Sequence, residues 1–272
     1  MSEVLSVDEI RDTEFPPQKF IIEPHLLPRN GTFIIGAATG VGKSWIALHI
    51  AQCLASGAPL FDAVYLKHGK EHTARFPVIK MAKILYLDYE LSHQMRKDRL
   101  MKALPRGTGL VFARNPSLYG LDERFAALEK LVSEERPDVL IVDPLSSAHH
   151  FEENTNELRK AFSRLDKLRD KFNLSVIVNH HASSKIERDA EKKVVLKRPI
   201  EMFRGHTSIV DWADLAVALF PLDEKESDSD VPSGQINLRL SFAKTRHTSY
   251  RRSIKLKVDC LGGTISLLES ST

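Results

Sequence analysis

Cysteine is scarce in this chain: Cys53 and Cys260 are the two present, in no paired ligand spacing. That excludes a disulfide framework and leaves no cysteine cluster for zinc. No apolar run approaches the roughly 20 residues that span a bilayer. The opening MSEVLSVDEIRD mixes acids among its apolar residues, unlike a signal peptide. Charge of one sign is also missing, since 39 basic against 36 acidic side chains leave +3. That total excludes a histone-like coat of charge but not a local basic patch. Together these absences predict a cytoplasmic protein with no membrane contact. What is present, 42% hydrophobic and 28% charged residues in 272, is the composition of a folded globule and excludes wholesale disorder. Length alone favours two domains at roughly 150 residues each, although one α/β domain commonly reaches about 250.

Residues 1–30 read as an irregular segment in which Pro16, Pro17, Pro24 and Pro28 block any continuous helix. From residue 31 the pattern becomes regular. Short apolar runs occur at 32–37 (TFIIGA), 84–88 (ILYLD), 139–143 (VLIVD), 175–179 (SVIVN) and 215–220 (LAVALF). They are continuous rather than alternating, as strands buried on both faces of a parallel sheet require. Residues 154–172 set Leu158, Phe162, Leu165, Leu168 and Phe172 near one helical face. The alternation of strand and helix predicts an α/β fold with helices on both sides of a mainly parallel sheet. Residues 236–244 and 251–259 alternate apolar with polar and predict a C-terminal β-hairpin with one wet face. Residues 61–83 and the acidic 222–230 read as loops. One domain over 31–272 is the resulting expectation.

The strongest local signal is Gly36–Ser44, GAATGVGKS, between an apolar strand and an apolar-periodic helix. Gly36, Ala37, Ala38, Thr39, Gly40, Val41 and Gly42 would lay backbone N–H groups and a helix N-terminus around an anion. Lys43 would reach the β- and γ-phosphates, and the Ser44 hydroxyl would bind Mg²⁺. The GxxxxGK[ST] pattern asks for glycine at 37, where this chain has Ala37 with Gly36 one place early. Trp45 stands beside this set; an aromatic at helical spacing is more often core than a base-stacking platform.

Such a site needs a carboxylate at the tip of a neighbouring strand, and Asp143 ends the VLIVD run. Hydrolysis needs a base or water-orienting group as well. The ILYLDYELS segment offers Asp88 and Glu90 just beyond a buried strand, where side chains face the ligand crevice of an open sheet. Glu90 is the favoured candidate.

Taken in order, IEPHLLPRNGTFIIGAATGVGKS, ILYLDYELS, DVLIVDPLSS, VIVNHHASSK, RGHTSIVDWADL and AKTR make the chain resemble the RepA-like AAA-type ATPases of the hexameric RecA/DnaB superfamily. The resemblance runs from about Ile22 to Lys257. It implies a RecA-like P-loop fold, ATP and Mg²⁺ as cofactors, and Glu90 as the catalytic glutamate that polarises water. One of His180 and His181 would sense the γ-phosphate; the sequence leaves open which. Lys244 and Arg246, in KTR, resemble the finger that such proteins insert into a neighbour's active site, where a guanidinium stabilises charge on the γ-phosphoryl group. Arg204 is a second candidate for that position, or for contact with the phosphate-sensing loop. A finger acting on a neighbour implies a homo-oligomer, with a hexamer favoured.

Residues 183–204 carry seven basic and four acidic side chains, a surplus equal to that of the whole chain. In RecA-like proteins the loop at this place faces a central channel, and a basic loop repeated around a ring would attract single-stranded DNA. A mixed-charge solvated insertion is the competing reading. The expected activity is that of a RepA-like replicative helicase ATPase. A recombination or repair ATPase and a KaiC-like nucleotide-switched regulator are the alternatives.

Overall fold

Five of the apolar runs become neighbouring strands of one nine-stranded sheet. The computed structural model describes residues 6–14, 16–61, 64–67, 70–73, 76–103, 109–150, 155–181, 199–203, 207–222, 233–248 and 253–268. In chain order the strands are β1 Phe20–Ile22, β2 Leu27–Pro28, β3 Thr32–Ala37, β4 Val64–Lys67, β5 Lys70–Thr73, β6 Ile84–Asp88 and β7 Leu110–Phe112. There follow β8 Val139–Asp143, β9 Ser175–His181, β10 Leu215–Pro221, β11 Gln235–Thr245, β12 Ile254–Asp259 and β13 Thr264–Leu267. The helices are α1 Val7–Asp12, α2 Lys43–Ser56, α3 His93–Ala103, α4 Phe125–Glu135, α5 Thr155–Phe172 and α6 Thr207–Trp212.

The main sheet runs β13-β12-β11-β10-β3-β9-β8-β6-β7. From β10 to β7 every pairing is parallel, and from β10 to β13 every pairing is antiparallel. The parallel strands are buried on both faces because each face has its own helical layer. Phe33, Ile35, Tyr86, Ile141 and Ile177 pack with Ile46, Ile50 and Leu54 of α2. Ile34, Leu85, Leu140 and Val176 pack on the other side with Leu128 of α4 and Leu165 of α5. That double burial is why the runs are continuously apolar. The α/β class, the mainly parallel sheet and the C-terminal antiparallel extension agree with expectation.

Two stretches differ from it. Residues 1–30 contain the short helix α1 and the β1–β2 pair. The helix is set by a capping box in which Ser6 and Glu9 exchange side-chain-to-backbone bonds, a device too short to give an apolar period. The stretch 61–83 holds the antiparallel β4–β5 hairpin as a separate sheet; its mixture of charges hides it from an apolar pattern. Most of the basic segment 183–204, including Arg204, and nearly all of the acidic 222–230 lie outside the described residues. Of the former, Pro199–Phe203 forms a 3-10 turn that buries Met202 and Phe203. Phe203 therefore belongs to the core.

Candidate nucleotide site

Parallel pairing brings the C-terminal ends of β3, β9, β8 and β6 to one edge of the sheet, so that Ala37, His181, Asp143 and Asp88 meet there. The crevice outside such strand ends is where ligands of open α/β sheets bind. The loop between β3 and α2 crosses this edge. Gly40 and Gly42 take left-handed backbone angles, φ 81° and 101°, which glycine adopts without a Cβ clash. The 14-residue helix α2 starts from Gly42 with no side chain capping its first N–H groups. A helix N-terminus with unspent donors, preceded by a left-handed loop, suits an anion.

Lys43 is buried at the centre. Its Nζ donates to the carbonyls of Ala37 and Ala38, both at 3.0 Å, and lies 3.1 Å from His181 Nδ1. Burial pulls the Lys43 pKa down, against the opposing charges of Asp143 and Glu90. His181 also approaches Thr39 Oγ1 at 3.4 Å, and its Nε2 lies 3.3 Å from Glu90 Oε1. One imidazole thus bridges the P-loop lysine and the glutamate. His180 points the other way: successive strand residues face opposite sides, and its ring stacks on Phe203 with centroids 6.5 Å apart. Of the two histidines the sequence left open, His181 faces the loop and His180 the opposite layer.

Asp143 is buried beside this group and accepts the Tyr86 hydroxyl at 2.7 Å. Burial raises its pKa, and Asp88 adds to the effect while the Tyr86 hydroxyl opposes it. Ser44 and Asn179 also neighbour the Asp143 carboxylate. Both polar atoms of the Asn179 amide are buried with no hydrogen-bond partner among the described residues. Asp88 is engaged elsewhere: its Oδ1 accepts the backbone N–H groups of Glu90 and Leu91, and its Oδ2 pairs with Arg96. Glu90 itself is half-exposed.

Four more residues of the predicted set stand apart from the cradle. Gly36 lies within β3, and a Cβ there would be 2.5 Å from the Phe203 ring; its glycine serves packing of the opposite layer. Trp45 packs on the α2-side core, with the Arg99 guanidinium 4.7 Å from its ring centroid, so that ring face is taken. Lys244 and Arg246 sit at the other end of the sheet, since Thr245 pairs with Leu215 and Leu215 with Phe33 at the start of β3. Lys244 Nζ donates to the carbonyls of Val210 at 2.8 Å and Asp211 at 2.9 Å in α6. Arg246 bonds Asp214 Oδ1 at 2.6 Å and the Asp211 carbonyl at 3.2 Å. Burial lowers the Lys244 pKa, helped by the nearby Arg246 charge. Tyr86, Asn179 and Arg96 are site neighbours that sequence reasoning missed. The first two carried a signal: Tyr86 stands two residues before the candidate Asp88 and Asn179 two before His181, each on the same strand face.

These elements define a RecA-like P-loop fold. The AAA domain family model (AAA_25) matches residues 2–185, and the chain belongs to that family. No curated protein matches it in sequence. Among solved structures it is similar to the ATPase domain of G40P, with a TM-score of 0.61 and 14% identity over 89% of this chain and 86% of that one. A DnaB-like replicative helicase, described with its interactions with primase, gives 0.61 and 14% over 89% of this chain, which spans 58% of the helicase. The KaiC-like protein PH0186 from Pyrococcus horikoshii OT3 gives 0.55 and 13%, over 91% and 93%. At these identities the likeness is one of fold. No helix among the described residues is long and apolar enough to cross a membrane.

Proposed function

We propose that the protein hydrolyses Mg-ATP as a motor ATPase of the RepA-like replicative helicase type, working as a ring on single-stranded DNA. The observation that carries this reading is the contact chain Lys43–His181–Glu90, which joins the phosphate-binding lysine to a glutamate through one imidazole.

The donor set fits the ligands. The left-handed glycines, the uncapped start of α2 and Lys43 suit a triphosphate. Ser44 and Asp143 would hold Mg²⁺, and the unpartnered Asn179 amide beside them supplies polar capacity for its shell. When bound, Mg²⁺ neutralises charge on the transferring phosphoryl group. Lys43 would leave the Ala37 and Ala38 carbonyls for phosphate oxygens. Glu90, half-exposed at the mouth, would orient the attacking water and accept its proton. His181, in contact with both, would register whether a γ-phosphate is present. Lys244 and Arg246, at the far end of the sheet, would act on a neighbouring copy, which supports an oligomer with the hexamer favoured. The basic residues of 183–204 would supply the DNA contact.

ATP turnover with and without single-stranded DNA, alongside a solution mass, tests the reading. Lys43→Ala should abolish turnover, and Glu90→Gln should bind ATP but turn it over at least 100-fold more slowly. Single-stranded DNA should stimulate the wild type, with affinity falling steeply as salt rises. Turnover indifferent to DNA, with no binding at low salt, would instead favour a nucleotide-switched regulator.

A further inference from the structure

We propose that Arg96 is a positioning residue for Glu90, acting through the turn that presents it. The inference rests on the reading of Glu90 as the water-orienting group.

Arg96 lies one turn into α3 and is buried, as is its partner Asp88. Its Nε is 3.3 Å from Asp88 Oδ2, and its Nη2 donates to the carbonyls of Asp88 at 3.0 Å and Leu91 at 3.2 Å. The Phe112 ring lies beside it, 5.6 Å from guanidinium carbon to centroid. The other carboxylate oxygen of Asp88 accepts the N–H groups of Glu90 at 3.1 Å and Leu91 at 2.9 Å. The backbone on both sides of Glu90 is therefore tied to one buried ion pair. The Glu90 carboxylate, by contrast, points outward and touches His181. The backbone N–H of Glu90 and that of Leu91 are held by Asp88, and Arg96 fixes Asp88, while Tyr89 N–H anchors the preceding residue on the Asp143 carbonyl at 2.9 Å.

Stability alone is a poor reason for such a pair, because well-packed apolar residues often serve a core as well as a buried ion pair does. What apolar residues cannot do is hold three acceptors of one turn at fixed angles. A guanidinium presents its N–H groups as a rigid planar fork, whereas a lysine ammonium is one point charge on a flexible stem. Placement matters at this position, since a 1 Å error in a reacting group costs on the order of 100-fold in rate. Both Asp88 oxygens are held, Oδ1 by the turn's N–H groups and Oδ2 by Arg96, so Glu90 is the freer of the two carboxylates.

The test compares Arg96→Lys and Asp88→Asn with wild type for kcat, KM and ATP affinity, and repeats Arg96→Lys in a Glu90→Gln background. The expected result is a kcat loss of roughly 10- to 100-fold, with KM and ATP affinity within about threefold. In the Glu90→Gln background Arg96→Lys should change the residual rate less than twofold, because its route to the chemistry is already gone. Thermal midpoints separate this from unfolding, and Asp88→Asn keeps the side-chain oxygen of the turn if Arg96→Lys proves unstable. Wild-type kcat in Arg96→Lys, or a loss of equal size with and without Glu90, would overturn the assignment while leaving Glu90 in place. Wild-type turnover in Glu90→Gln alone would remove the reading of Glu90 and this assignment with it.

Discussion

A methyl group at position 36 would meet the Phe203 ring at 2.5 Å, and that ring is almost fully buried. Gly36→Ala should therefore lower stability by about 1–3 kcal/mol, the usual cost of overpacking a filled core. ATP affinity should stay unchanged, which a denaturation curve beside a nucleotide titration would check. The early glycine of GAATGVGKS is thus explained without phosphate, and Ala37 is explained too. Its side chain is buried on the α2 face while its carbonyl receives Lys43, so nothing there asks for glycine. The sequence made Lys43, Asp143 and Glu90 legible because strand tips and a Gly-rich loop advertise themselves. It could not separate His180 from His181, because which face of β9 looks toward α2 depends on a pairing register that one strand does not state. Arg96 was illegible for another reason: an arginine in a charged helix reads as surface until packing buries it.

At the scale of elements, five of the six parallel strands were readable almost to the residue, and the short β7 was not. Their double burial leaves no polar alternation to blur the ends. The hairpin β4–β5 and the short α1 were not, since local hydrogen bonding rather than an apolar face sets them. Helix α2 carries a measurable consequence of its own burial. His49 stacks on Phe61 with centroids 5.3 Å apart, and burial pulls its pKa from 6.5 to about 4. The folded state therefore favours the neutral ring, while the unfolded chain takes up a proton near pH 6.5. Stability should fall as pH drops from 6.5 toward 4, by up to about 3 kcal/mol in total from this group, with no further loss below. Urea midpoints across that range should show a shallower slope in His49→Gln.

At the scale of the whole molecule, the nucleotide site and the Lys244/Arg246 pair occupy opposite ends of the sheet, so one copy cannot bring both to the same phosphate. If each active site is shared between neighbours, Lys43→Ala and Arg246→Ala should each be inactive alone. An equimolar mixture, reassembled together, should recover about a quarter of wild-type turnover, since about one interface in four then pairs an intact loop with an intact finger. Recovery near zero would show that the pair does not act across the interface.

The docking of Lys244 and Arg246 on α6 has a further consequence. That helix begins at Thr207, directly after the basic segment and Arg204, and ends at the carbonyls these two side chains grip. If that pair reaches a neighbour's site, a shift of α6 would be felt there. A change at the finger would be felt by whatever the segment holds. Such a connection works equally in both directions: if a DNA strand tightens the hold on ATP by some factor, ATP tightens the hold on the strand by the same factor. Grip and fuel would then be two readings of one lever, and measuring either affinity in the presence of the other ligand would give its length.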